Sequence, residues 1–330
     1  MTALELVCPA GTPAALRDAV DAGADVVYVG FRDETNARNF PGLNFSRPEL
    51  RDGIAYAHQH GSEVFVAINT YAAAGDPAAW HKAIDDAAML GADAVIIADI
   101  GLLDYTARKH PELRLHLSVQ AAASHADAIR FYHEAFGVRR VVLPRVLTVA
   151  EIAQLTPHIP VETEIFAFGG MCPMAEGRCS LSSYVTGQSP NRQGVCSPAS
   201  HVRYETRDGN LVSSLGGSTI NVFGPHENPG YPTLCKGRFS IGDYASYLFE
   251  EPTSLSTGDI LPELIRAGVK ALKIEGRQRG RAYVAEVVRQ FRLLVDAASA
   301  GAAMPGATAA LRQLAEGQQD TSGAYKKAWR

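Results

Sequence analysis

The sequence has no run approaching the about 18 consecutive apolar residues that a membrane-spanning helix needs. Its opening, "MTALELVCPAG", lacks a basic segment leading into an apolar one, so no secretory leader is expected and the chain is read as cytoplasmic. No Gly-rich phosphate loop, Gly-x-Ser-x-Gly elbow or His-Glu-x-x-His pair occurs, which removes support for nucleotide hydrolysis, serine-esterase chemistry and zinc proteolysis. Charge imbalance is also missing. A net charge of -4 sets up no field that would gather nucleic acid or an anionic membrane, so nucleic acid is not an expected partner. Cysteine is scarce: five in 330 residues, an odd number, suits a metal or a reactive thiol better than a disulfide framework.

What is present is the material of a sizeable core. Hydrophobic residues make up 46% of the chain and charged residues 20%. Four stretches share one grammar, "DAGADVVYVG" (21–30), "MLGADAVIIAD" (89–99), "AFGVRRVVLPR" (135–145) and "RAGVKALKIEG" (266–276). Each sets a glycine just past a helix and then a β-branched run, as when a helix hands over to a buried parallel strand. "LELVCPAG", "SEVFVAINT", "RLHLSVQ" and "VETEIFAFG" complete a set of eight strand candidates. Helical patterns fill the gaps. In one, Asp76 caps, Pro77 suits the first turn, Trp80, Ile84, Ala87, Ala88 and Leu90 share a face, and Gly91 ends the helix. Eight strand-helix units in series predict a (β/α)8 barrel.

The beat fails once. Residues 171–258 form a long insertion between the seventh and eighth strands, with a hairpin predicted around Asp208-Gly209. The expected organisation is one barrel over 1–300, insertion included, a last helix near 281–299, and a surface tail over 301–330.

Four of the five cysteines, Cys172, Cys179, Cys196 and Cys235, lie in that insertion, flanked by Gly, Pro and Ser. Four thiolates around one centre would tie the distant ends of an irregular excursion together. Their spacing lacks the tight two-residue gap of zinc ribbons and ferredoxins, so it leaves zinc and an iron-sulfur cluster level. Loops that follow barrel strands form the active-site face, and Cys172 enters directly after the seventh strand. The other strand ends bring Asn69, Gln120 and Glu275 to that rim as candidate catalytic groups, with Cys8, Asp99 and Lys273, and Arg38, Arg145 and Arg277 as candidate carboxylate-binding cations. His58, His60 and His81 sit in helical patterns and are not expected to bind metal. Cys8 stands apart, a possible nucleophile in a peptidase reading.

The run Glu164-x-Phe166-x-x-Gly169-Gly170-Met171-Cys172, followed by Gly177-x-Cys179-x-Leu181-Ser182, resembles the signature of the collagenase-like peptidase family. Gly170 departs from it, since the family usually shows Ser or Ala there. "CPAG" (8–11), "TNARNF" (35–40), "SVQA" (118–121), "YPTLCKGR" (231–238) and "KIEGRQR" (273–279) extend the likeness, which points to the family's ubiquinone-biosynthesis branch. That resemblance implies a 4Fe-4S cluster on Cys172, Cys179, Cys196 and Cys235. It also implies a heterodimer with a UbiV-like protein and hydroxylation of the ring of a ubiquinone precursor without dioxygen. Prephenate, the oxygen donor of relatives that hydroxylate RNA bases, would be the donor. It argues against proteolysis, and the absence of an appended Lys/Arg-rich domain is expected to disfavour RNA as substrate. A lipid-carrying third protein would account for delivery of a polyprenyl substrate.

Overall fold

The computed structural model describes residues 4–172, 174, 179–190, 195–227, 229–302 and 304–326. Eight parallel strands, numbered along the chain, build a closed barrel: β1 (Glu5–Pro9), β2 (Val26–Val29), β3 (Glu63–Ile68), β4 (Ala94–Ile97), β5 (Arg114–Leu117), β6 (Arg140–Val142), β7 (Glu162–Gly170) and β14 (Ala271–Ile274). Closure comes from β14, where Lys273 stands in register with Val7 on one side and Phe166 on the other. All eight strands fall on the stretches predicted from the sequence, and the fold is a (β/α)8 barrel.

Helices α1 (Pro13–Asp21), α2 (Arg47–Gln59), α3 (Ala78–Leu90), α4 (Ile100–Lys109), α5 (Ala126–Phe136), α6 (Val149–Leu155), α8 (Leu261–Arg266) and α9 (Arg281–Ser299) surround the strands. The predicted handover is visible at α3, where Gly91 caps with φ +82°, a left-handed value that costs glycine little. The cap at its other end differs by one residue. Pro77 takes the N-cap position, and Asp76 still accepts from the Ala78 N–H at 3.0 Å.

Strand alternation sends a mixed set of side chains inside the barrel. Val7, Tyr28, Phe65 and Ile96 pack there as an apolar cluster. Beside them runs a column of buried charge. Arg140, fully buried, donates to Glu5 at 2.7 Å, to Glu162 at 2.6 Å and to Glu164 at 3.4 Å. Glu164 in turn accepts from Lys273 Nζ at 2.6 Å. Such pairs survive burial because each charge has a partner and further hydrogen bonds.

The insertion is ordered around short elements. Helix α7 (Ser180–Thr186) opens it, and β8 (Val202–Arg207), β9 (Asn210–Leu215) and β10 (Ser218–Phe223) form an antiparallel sheet. The predicted hairpin turn is present, with Asp208 at φ +52° and Gly209 at φ +80°, the pair of left-handed residues a tight two-residue turn demands. A second hairpin, β11 (Arg238–Ile241) with β12 (Tyr244–Tyr247), follows. Strand β13 (Ser254–Ser256) then runs antiparallel against the end of β7, pairing Leu255 with Gly169.

The C-terminal segment, expected as a surface tail, packs against the barrel over its described residues. Helix α10 (Pro305–Leu314) buries Ala307 and Leu311, and β15 (Asp320–Thr321) adds to β13. Tyr325 is 3% exposed and donates its hydroxyl to the Phe166 carbonyl at 2.9 Å. Its apolar anchors are too few and too widely spaced to give a periodic signal, which is why composition alone suggests a surface tail. Among the described residues no helix is long and apolar enough to cross a membrane.

Candidate functional site

The loops after the strands meet over one end of the barrel, and Glu275, just past β14, sits at their centre. Its carboxylate bridges two arginines, accepting from Arg38 Nη2 at 2.7 Å and from Arg145 Nη2 at 2.6 Å. Burial opposes ionisation of this carboxyl, yet Arg38, Arg145 and Lys236 outweigh it and bring its pKa down from 4.5 to about 2. Glu275 is therefore an anion at every physiological pH and fixes both guanidinium planes. The Arg145 guanidinium also lies 3.5 Å over the Phe166 ring.

Arg277 takes a different position. It is buried against Tyr28, donates to Asn36 Oδ1 at 3.2 Å, and burial lowers its pKa to about 10. Gly11 and Gly30 leave the space for it. A Cβ on Gly11 would come within 1.9 Å of the Arg277 carbonyl oxygen, and one on Gly30 within 2.6 Å of its guanidinium. Asn69 holds the loop that carries Arg38, its Oδ1 accepting from the Ala37 N–H at 2.9 Å. Gln120 is buried, its carbonyl accepts from the Tyr71 hydroxyl at 2.8 Å, and its side-chain oxygen has no partner among the described residues.

The insertion brings its cysteines toward this mouth by a lattice of hydrogen bonds. Cys172 stands two residues beyond β7 and donates to the Met174 carbonyl at 3.6 Å. Cys179 caps α7, its sulfur accepting from the Ser182 N–H at 3.4 Å, while the Ser182 hydroxyl donates to the Cys196 carbonyl. The next residue, Ser197, donates to the Pro232 carbonyl at 2.5 Å and accepts from the Tyr231 hydroxyl at 3.1 Å, which draws in the turn that carries Cys235. Part of Cys196 reaches solvent, yet the surrounding protein strips enough water from the thiol to raise its pKa. Arg38 opposes that rise, and Glu275 and Cys179 add to it. The Cys235 thiol is raised by burial too, with Cys196 and Cys179 contributing and Thr233 and Lys236 opposing. Cys179, Cys196 and Cys235 are thus electrostatic neighbours, and Cys196 also feels the Arg38–Glu275 pair. Among the described residues no three metal-donor side chains stand close enough to share a single ion.

Of two buried lysines near the mouth, the sequence points to Lys273 as a rim residue and gives no sign of Lys236. Lys236, next to Cys235, is buried, donates to Glu316 at 2.5 Å and to the Thr253 carbonyl at 3.4 Å, and ties the insertion to the C-terminal segment. Lys273 lies below the rim, its ammonium 4.1 Å from the Tyr28 ring centre and its pKa lowered by burial against the opposing pull of Glu164. His116, fully buried beside Phe65, has no partner for either ring nitrogen among the described residues, and burial followed by Arg140 holds its pKa well below 6.5. Cys8 is sealed in the apolar layer between strands and helices. Burial raises its thiol, so the structure offers no nucleophile there.

Two of the clefts among the described residues bear on the site. One of about 650 Å³, lined by Arg114, Arg139, Glu162 and Lys270, lies at the N-terminal ends of the strands, where barrels carry stability and not chemistry. The smaller, of about 460 Å³, lies at the mouth between the loops after β2 and β3.

Barrel and mouth together define a TIM-barrel protein of the kind whose reaction centre is built on the loops after its strands, here with a thiol-bearing insertion over them. The chain belongs to Peptidase family U32, which it matches over residues 11–327. It is 31% identical over 296 residues to tRNA hydroxylation protein P1 of Bacillus subtilis (strain 168), covering 89% of this chain and 63% of that protein. It is likewise 31% identical over 316 residues to tRNA hydroxylation protein P of Escherichia coli (strain K12), covering 90% and 69%. A 23S rRNA 5-hydroxycytidine C2501 synthase of the same Escherichia coli strain is 29% identical over 299 residues, covering 89% of this chain and 39% of the other. The chain thus spans about two thirds of the tRNA hydroxylation proteins' length.

Proposed function

We propose that the protein is the cluster-bearing subunit of a hydroxylase that acts on a conjugated ring without dioxygen. The observation that carries this is the convergence of insertion thiols beside the Arg38–Glu275–Arg145 bridge at the barrel mouth. The donor chemistry fits a 4Fe-4S cluster on Cys172, Cys179, Cys196 and Cys235. A polynuclear cluster seats each thiolate on a different iron and spreads its ligands more widely than one tetrahedral ion does. Such a cluster supplies one-electron chemistry at the mouth.

The chain's own residues would do the rest. Arg38 and Arg145 set two guanidinium groups on one carboxylate at the mouth, the chemistry that would recognise the carboxylates of an oxygen donor such as prephenate. Gln120 turns an unpaired amide oxygen into a buried setting, where it would accept from a substrate hydroxyl or amine. Lys273, with its lowered pKa beneath the rim, would hold a proton close to Glu164.

As substrate we propose the aromatic ring of a ubiquinone precursor, with the chain acting UbiU-like in a heterodimer with a UbiV-like partner and receiving its polyprenyl substrate from a lipid-carrying protein. The likeness of "CPAG", "YPTLCKGR" and "KIEGRQR" to that branch supports this reading, as does the net charge of -4. The names of the relatives favour a second reading, hydroxylation of an RNA base. Anaerobic purification tests the first step. The expected protein is brown, with equal iron and acid-labile sulfide and an electron paramagnetic resonance signal on reduction, and serine at any of the four positions removes the colour. A colourless, zinc-loaded protein refutes the proposal. Reconstitution with the partner on a phenolic precursor and on unmodified tRNA then decides between substrates.

A further inference from the structure

The cleft of about 460 Å³ at the mouth has a composition of its own. Its walls are aromatic, Tyr71 and Trp80, and Ala73 and Ala79 line it without filling it. Its lips are acidic, since Glu34 and Asp76 both line it and both are exposed. No arginine or lysine lines it. The aromatic walls are held in place. The Trp80 indole donates to Thr70 Oγ1 at 2.9 Å, and the Thr70 hydroxyl donates to the Glu34 carbonyl at 2.7 Å, which locks the two loops to each other.

The cleft also leads toward the reaction centre. Tyr71, on its wall, donates its hydroxyl to the backbone of Gln120, whose buried side-chain oxygen has no partner among the described residues. Asn39, on the opposite wall, follows directly on Arg38, which is bound to Glu275. One short path of bonded residues therefore joins the cleft on either side to the amide and the arginine pair at the mouth.

We infer that this cleft is a specificity subsite for an uncharged aromatic ring, a phenol in particular, and that its acidic lips exclude anionic rings and nucleotide phosphates. Stacking against Tyr71 and Trp80 supplies attraction for any flat ring. The lips supply the discrimination, because a phenol hydroxyl can donate to a carboxylate while a carboxylate or phosphate on the ring is repelled by two. This rests on the proposed ring hydroxylase and narrows it, because it assigns charge selection to residues other than the thiols.

Fluorine NMR on the anaerobically purified chain tests it with 4-fluorophenol and 4-fluorobenzoate as probes and uridine monophosphate as a competitor against 4-fluorophenol. Saturable broadening is expected with 4-fluorophenol and at least about tenfold weaker binding with 4-fluorobenzoate, as befits like-charge repulsion. Ala79→Leu, which fills the cleft from a helix position leucine tolerates, should weaken phenol binding by about tenfold or more. The double change Glu34→Gln with Asp76→Asn should restore benzoate binding while leaving phenol binding within about threefold. Equal binding of phenol and benzoate, tighter binding of uridine monophosphate, or indifference to Ala79→Leu in a variant whose circular dichroism is native would each overturn the inference. Because the probe reads binding and not turnover, a protein that binds 4-fluorophenol here yet carries zinc keeps the subsite and loses the hydroxylase reading. A brown protein that binds the phenol no differently after Ala79→Leu does the reverse.

Discussion

Replacing Glu275 by Gln removes the anion on which two arginines depend, and its cost can be worked from the bridge itself. With the carboxyl pKa lowered from 4.5 to about 2, the ionised form stabilises the fold by about 3 kcal/mol at 1.36 kcal/mol per pH unit. The side chain is only 13% exposed, so solvent screens little of this. Because the folded-state pKa is depressed, the contribution is complete above about pH 4.5 and disappears as pH falls toward about 2. About 2 kcal/mol of it has gone by pH 3. Urea unfolding of the wild type and Glu275→Gln at pH 7 and at pH 3 should therefore show a deficit near 3 kcal/mol that shrinks to about 1 kcal/mol in acid. Comparing the two proteins cancels every other group that titrates in that window. A deficit that is absent at pH 7, or unchanged between the two pH values, would refute the account of Glu275 as the anchor of Arg38 and Arg145.

Two further expectations concern the barrel. In the native, cluster-free protein, iodoacetamide followed by mass spectrometry should label the insertion cysteines and spare Cys8 until urea unfolds the chain, since Cys8 is fully buried with a raised pKa; early labelling of Cys8 would contradict its placement. Gly11→Ala should destabilise by about 3 kcal/mol in urea, because its Cβ would sit 1.9 Å from the Arg277 carbonyl oxygen and force apart the loops after β1 and β14; an unchanged midpoint would show that this approach is not tight.

The barrel was legible because its strands are short apolar runs that follow helix-ending glycines, a pattern that buried parallel strands rarely share with anything else. The charges inside it were not. In "ETEIFAFG" the alternation of Glu162, Glu164 and Phe166 would send the glutamates to solvent in an open sheet, and only closure turns that face inward onto Arg140 and Lys273. The clustering of four cysteines in one insertion was plain from their positions, whereas the placement of Cys196 and of the turn carrying Cys235 depends on the Ser182 and Ser197 hydroxyls, ordinary serines until their acceptors are known. The arginines show the same division. Arg38 and Arg145 meet on one carboxylate, but Arg277, equally near a strand end, turns to Asn36 and the Tyr28 ring. Residue type places a cation at a rim; the neighbouring backbone decides where it points.

The latch between Lys236 and Glu316 joins residues 80 positions apart, and the Tyr325 hydroxyl closes onto a strand laid down 159 positions earlier. A growing chain thus exposes its insertion thiols well before the segment that braces them has left the ribosome. Final shaping of the thiol-bearing insertion consequently waits on a segment made long after it.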